Sequence, residues 1–227
     1  CLESIKNNTT IPYELILIDN GSTDQTSSFT GRLSNITVIT NEKNLGYAEA
    51  NNQGAMQTNG TYLLFLNNDT VVDKEWLAPL VESIEANQKI GAIGPKLIYF
   101  DGKLQAAGCV LKKDGWFHGR GKGKKPTLKQ YNIAEETEAL YGACIMIKKT
   151  IFNEVNGFET IYSPAYHEDI DLCLKIREAG YSLFYQPKST VYHKEFASSH
   201  MSDVQTLLEK NYSVLYNRWK HIINSAY

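Results

Sequence analysis

The sequence predicts an α/β fold, a mostly parallel sheet flanked by helices. Three observations carry this expectation. Leu15-Ile16-Leu17-Ile18 and Tyr62-Leu63-Leu64-Phe65-Leu66 are continuous apolar runs rather than alternating ones, as befits strands covered on both faces. Between such runs lie stretches with helical spacing, for example Trp76, Leu77, Leu80, Val81 and Ile84. Both runs end in turns of acids and amides, Asp19-Asn20-Gly21-Ser22-Thr23-Asp24 and Asn67-Asn68-Asp69, at the strand ends where open α/β sheets bind ligands.

The elements follow in order. Residues 1–7 read as the tail of a helix, 15–18 as a buried strand and 36–39 as a second one. The Ala/Asn-rich stretch 47–58 predicts a short helix and 62–66 a third strand. A helix follows near 76–84, its first turn constrained by Pro79. A strand lies within 90–100, and the Gly- and Lys-rich stretch 102–130 reads as a loop or weak hairpin. Further on come a strand at 139–147, a short helix ending at Gly157, and a helix over 168–179 with Gly180 as its cap. Residues 181–185 predict a strand stopped by Pro187. The chain closes on an amphipathic helix over 202–220, with Val204, Leu207, Leu208, Leu215 and Trp219 on its apolar face. With no repeat or low-complexity linker, 1–227 reads as one domain.

Composition is that of an ordinary globular protein: 227 residues, 42% hydrophobic, 21% charged, formal net charge −2. That balance gives no sign of a nucleic-acid partner. No run of eighteen apolar residues predicts a membrane span. Cys1, Cys109, Cys144 and Cys173 form no CxxC pair, and their scatter fits reduced thiols, hence a cytoplasmic location. Lys210, Arg218 and Lys220 on the last helix allow it to rest on a membrane's inner face, although a packing role is the simpler reading.

Four polar patches are candidates for chemistry. Turn propensity alone accounts for much of the 19–24 segment. Asn67-Asn68-Asp69 is harder to dismiss, because an oxygen-rich cluster after a buried strand suits a hard divalent cation and a diphosphate. In Asn44-Leu45-Gly46-Tyr47-Ala48-Glu49-Ala50-Asn51, Gly46 permits close backbone approach, and Asn51 both donates and accepts. His167-Glu168-Asp169-Ile170-Asp171 opens a helix. The helix dipole favours acids there, yet three in four residues exceed capping needs, and one of them could act as a general base. His193, near the end of a strand-like segment, reads on its own as a packed residue, and its functional reading pairs it with Asp69 on one divalent metal.

These motifs, taken in order with His193, resemble the family 2 inverting glycosyltransferases of the GT-A fold, and within them the bacterial rhamnosyltransferase-type branch. The resemblance spans nearly the whole chain. It implies that Asp19 and Asn20 meet the nucleotide, and that Asn44, Gly46, Asn51, Asn68 and Gly142 shape the nucleotide-sugar pocket. It places Asp69 as ligand of Mg²⁺ or Mn²⁺, Asp169 as catalytic base and Glu168 in its support. Residues 1–100 then form the nucleotide-sugar half and 101–227 the acceptor side with the C-terminal helix. The expected reaction moves a sugar, dTDP-L-rhamnose being the first-choice donor, to a hydroxyl of a surface-polysaccharide or lipid-linked glycan acceptor. Lys175 stands where relatives often carry Arg. The family's usual first strand is lacking, which leaves a central gap in the sheet and invites self-association. Two other readings are a non-catalytic nucleotide-sugar-binding domain and, less well matched, a metal-dependent phosphohydrolase.

Overall fold

The computed structural model describes residues 1–195 and 201–226. Its elements in chain order are α1 (Leu2–Asn8), β1 (Ile16–Asn20), α2 (Thr26–Thr30), β2 (Thr37–Asn41), α3 (Tyr47–Gln57), β3 (Tyr62–Leu66), β4 (Thr70–Val72), α4 (Ala78–Ala86) and β5 (Ile90–Ile98). Then come β6 (Leu104–Ala106), β7 (Cys109–Leu111), β8 (Phe117–Gly119), β9 (Glu135–Thr137), β10 (Cys144–Lys148), α5 (Lys149–Glu154), α6 (Glu168–Glu178), β11 (Ser182–His193) and α7 (Met201–Ile223). The α/β class holds, with helices on both faces of a central sheet.

The expectation of a mostly parallel sheet does not hold. The large sheet runs β3-β10-β5-β11-β4, with β6 on β5 and β9 on β11, and only β5 and β11 pair in parallel. Two of the antiparallel pairs come from β10, which enters between β3 and β5, and β4, β6 and β9 supply the others. Alternation of strands and helices along the chain does not reveal such an insertion.

Side chains alternate across the sheet as the pleat requires. Ile145 and Ile147 of β10 join the cluster holding Ile170, Leu172, Leu174 and Ile176 on α6, whereas Met146 between them joins Leu80 and Ile84 of α4. All nine residues of β5 are buried, as its place at the middle of the sheet demands. Strand β11 does not stop at Pro187. It continues to His193 through a register shift between Gln186 and Thr190, where the missing proline N–H removes no ladder bond. The stretch read as a loop or weak hairpin carries the short strands β6, β7 and β8, of which β7 and β8 pair antiparallel. Helix α7 buries Val204, Leu215, Trp219 and Ile223. Leu215, Trp219 and Ile223 join the core cluster of β10 and α6, while Leu207 and Leu208 are half-buried.

Strands β1 and β2 form a separate parallel pair. Among the described residues, β1 pairs only with β2 and β3 only with β10. Their unpaired edges border a cavity of about 1040 Å³ lined by residues 15–18 and 62–66. Glu14 Oε1 accepts the Asn59 and Gly60 amides at 2.5 and 2.8 Å, joining the amino ends of the two strands. This gap in the sheet agrees with the expected lack of a first strand.

Candidate active site

At the carboxyl end of β1, Asn20 is the hub of an amide cluster. Its Nδ2 donates to Asn44 Oδ1 at 2.9 Å and to the Gly46 carbonyl at 3.2 Å, and its Oδ1 accepts the Leu45 amide at 3.1 Å. Gly46 sits at φ 88°, and a Cβ there would lie 2.7 Å from Ser163 Oγ, so only glycine fits. The Tyr47 amide donates to the Pro164 carbonyl at 2.7 Å, tying α3 to the loop that leads into α6. Asp19 is buried, and its Oδ1 accepts the Ser22 amide at 3.0 Å, closing the turn. Asn51 stands apart: its Nδ2 donates to the Tyr47 carbonyl, and it lines the β1–β3 cavity.

The turn after β3 meets the end of β11. Asp69 Oδ1 lies 3.2 Å from His193 Nε2, and Asn67 Nδ2 lies 3.4 Å from the same nitrogen. His193 Nδ1 is 3.0 Å from Oε1 of Gln105, a buried residue on β6. Because that oxygen can only accept, Nδ1 carries a hydrogen, and this contact turns Nε2 toward Asp69. Burial pushes the Asp69 carboxyl up, but the adjoining His193 ring outweighs it and holds the carboxyl below its usual range. Asp69 Oδ1 is buried without a hydrogen-bond partner among the described residues. A buried carboxylate oxygen beside an oriented imidazole nitrogen fits a divalent cation that draws its other ligands from a bound molecule. The described residues hold no group of three or more His, Cys, Asp or Glu side chains placed to bind a metal. Asn68 is exposed on the turn.

The acid pair opens α6. Asp169 Oδ2 accepts the Gly142 amide and Oδ1 the Ile170 amide, both at 2.8 Å. Gly142 also accepts the Tyr47 hydroxyl at 2.7 Å, and a Cβ on it would sit 3.1 Å from that of Asp169. Burial raises the Asp169 carboxyl, against the pull of its amide donors. Burial also raises the Glu168 carboxyl, and the Asp169 charge adds to this. Asp171 has a different task. Its Oδ1 accepts Tyr162 Oη, Arg218 Nε and Trp219 Nε1 at 2.9, 2.9 and 2.7 Å, locking α6 to α7. Lys175 turns away from the acids, toward the Gly157 carbonyl and Glu159.

Gly142 and Ala143 join these parts. Gly142 holds Asp169, and the Ala143 carbonyl accepts the Asn67 amide at 3.0 Å, next to the Asp69 turn. The structure therefore gathers Asn20, Asn44 and Gly46 at one corner, Asp69 with His193 at another, and Glu168, Asp169 and Gly142 between α6 and β10. Sequence reasoning missed Gln105, the Tyr47 hydroxyl as a donor to Gly142, and Asn211. None carries a local signal, because each acts only through a contact made by the folded chain.

The profile of glycosyl transferase family 2 matches residues 1–155. The uncharacterized protein y4gI of Sinorhizobium fredii is 30% identical over 224 residues, covering 92% of this chain and 24% of that protein. The N-acetylglucosaminyl-diphospho-decaprenol L-rhamnosyltransferase of Mycobacterium tuberculosis is 26% identical over 221 residues, covering 87% of this chain and 72% of that protein. A crystal structure of GalNAc-T7 with UDP, GalNAc and Mn²⁺ superposes with a TM-score of 0.76 at 21% identity, over 98% of this chain and 45% of that one. The architecture is thus that of the GT-A glycosyltransferases. The chain belongs to glycosyl transferase family 2, and it spans about a quarter of the length of y4gI.

Proposed function

We propose that residues 1–227 form one catalytic domain that transfers a sugar, with inversion, from a nucleoside-diphosphate sugar to an acceptor hydroxyl. The observation that carries this reading is the Gly142–Ala143 link, which sets the Asp169 carboxylate beside the turn bearing Asp69. Asn20, Asn44 and Gly46 receive the nucleotide, with Asp19 shaping the turn below them, and Asn68 and Gly142 lie toward the diphosphate and sugar. Asn51 is a cavity residue and supports the pocket from behind.

Asp69 and His193 would hold Mg²⁺ or Mn²⁺, whose charge would offset that of the departing diphosphate. Asp169 takes the proton of the acceptor hydroxyl. The acceptor oxygen forms its bond to the anomeric carbon as the bond to the diphosphate oxygen breaks, and the nucleoside diphosphate leaves with the electron pair. Glu168, whose carboxyl is raised by burial and by the Asp169 charge, supports the base. Two of the proteins compared carry pointers to substrate: GalNAc-T7 was solved with UDP and Mn²⁺, and the mycobacterial relative is named for transfer of L-rhamnose to a lipid-linked acceptor. On that basis dTDP-L-rhamnose is the first donor to try and UDP-sugars the second, with a lipid-linked or surface glycan as acceptor at the inner face of the membrane.

Asp169→Asn keeps the shape and the amide contacts while removing the base. It should retain donor binding and lose roughly 10²–10⁴-fold in turnover. Transfer by the variant at a near-normal rate would refute the assignment.

A further inference from the structure

Charge is distributed unevenly along the chain. Residues 99–133 hold eight basic side chains (Lys103, Lys112, Lys113, Arg120, Lys122, Lys124, Lys125, Lys129) and two acidic ones, within a chain of formal net charge −2. Arg120 is spent on Glu135, and Lys103 on Asp101. Lys122, Lys124, Lys125 and Lys129 are all exposed. Of these, Lys122 lies 3.8 Å from Glu195 and 5.9 Å from the centre of the Tyr99 ring, and the other three make no ion pair among the described residues.

Large apolar side chains stand exposed in the same segment: Phe100 at 59%, Ile133 at 50% and Leu128 at 41%. Backbone bonds bring these parts together. The Leu104 amide donates to the Lys124 carbonyl and the Gly123 amide to the Leu104 carbonyl, so the turn around Phe100 lies beside the lysine turn. Asn132 Nδ2 donates to the carbonyls of Pro126 and Leu128, binding the 126–133 segment into one unit. A lysine-rich surface studded with exposed Phe, Leu and Ile suits a partner that is anionic outside and apolar beneath. A purely polar polyanion would leave the apolar side chains without use.

We propose that this face docks on an anionic lipid bilayer, the lysines meeting headgroup phosphates and Phe100, Leu128 and Ile133 entering the interface. Strand β6 couples the face to the candidate site. Leu104 holds the lysine turn through its backbone, while the next residue, Gln105, holds His193. A bilayer docked here lies alongside the Asp69–His193 edge. The inference stands apart from the glycosyltransferase reading, since it uses no catalytic residue.

The test is vesicle co-sedimentation of the 227-residue chain, using phosphatidylcholine alone or mixed with phosphatidylglycerol, at low and high salt. Binding should require phosphatidylglycerol and weaken with salt. Replacing Lys122, Lys124, Lys125 and Lys129 by Gln removes about fivefold per lysine, on the order of 10²–10³-fold in all. Phe100→Ser with Leu128→Ser should also weaken binding, whereas Lys210→Gln with Lys220→Gln on α7 should leave it unchanged. All these positions are exposed or partly exposed at the surface, and matching thermal melts confirm that the variants fold. Equal binding to both vesicle types, wild-type sedimentation of the quadruple variant, loss of binding in the α7 variant, or binding to a sulfated polysaccharide without vesicle binding would each overturn the proposal.

Discussion

Asn211 on α7 offers a sharp test of how the acid pair is held. The residue is fully buried, and its Nδ2 faces three carbonyls: Tyr162 at 2.6 Å, Ala165 at 2.8 Å and Tyr166 at 3.2 Å. Those carbonyls belong to the loop that delivers Glu168 and Asp169. In it Tyr166 and His167 both adopt left-handed backbone, at φ 79° and 75°, which costs a non-glycine residue roughly 1–2 kcal/mol each. Asn211→Ala removes two shared donor hydrogens, worth about 1 kcal/mol apiece, and leaves a small void worth about another. The sum, about 3 kcal/mol, corresponds to a Tm about 6–12 °C lower for a chain of this size. Asn211→Asp keeps the shape but sets a carboxylate against three carbonyl oxygens. Its charged form is disfavoured in the fold, so its deficit relative to wild type should be smaller at acid pH and grow as the pH rises. Thermal melts at two pH values decide the matter. An alanine variant melting within about a degree of wild type, or an aspartate variant with the same deficit at both pH values, would refute the clamp.

Further expectations concern protonation, metal and the sheet edges. Burial pushes the His167 ring down to about 4, against a backbone contact at Leu208 that acts the other way. A depressed histidine stabilises the fold above its unfolded pKa and loses that contribution as the pH falls from about 6.5 toward 4, by roughly 3 kcal/mol at most. His167→Asn, which suits the left-handed backbone, should flatten that part of the stability profile, and an unchanged acid slope would count against it. Calorimetric titration of Mn²⁺ with UDP or dTDP present should show weaker metal binding by His193→Ala than by wild type. Equal affinity would remove His193 from the ligand set. The unpaired edges of β1 and β3 should make the 227-residue chain self-associate, and a monodisperse monomer at micromolar concentration by light scattering would count against open edges.

The parts legible in the sequence share one property, that the signal is local. The apolar runs at 15–18 and 62–66 announce buried strands, and the acids and amides that end them announce the ligand edge. The acid cluster at 168–171 marks a helix start. What stayed hidden depends on tertiary placement. Strand β10 looks like any apolar strand, and nothing in Cys144–Lys148 says that it will run antiparallel between β3 and β5. Pro187 reads as a stop because a proline breaks a regular ladder, yet a register shift at that point lets β11 carry on to His193. The Gly- and Lys-rich setting of β6 to β8 has no strand period and reads as no more than a loop or weak hairpin, so Gln105, the residue that orients His193, escapes notice with β6. The three adjacent acids also divide their roles only in the folded chain: Asp169 faces Gly142, while Asp171 turns to Tyr162, Arg218 and Trp219.

The central claim is that Asp69 and His193 bind a divalent cation together with a nucleoside diphosphate. Thermal-shift measurements with Mn²⁺ alone, with UDP, GDP or dTDP alone, and with each pair test it most directly, because a ligand that binds only the folded chain raises Tm by mass action. The account predicts a clear rise for at least one metal–nucleotide pair, little for either component alone, and loss of the rise in Asp69→Ala. No rise with any pair, or a full rise that survives Asp69→Ala, would contradict it.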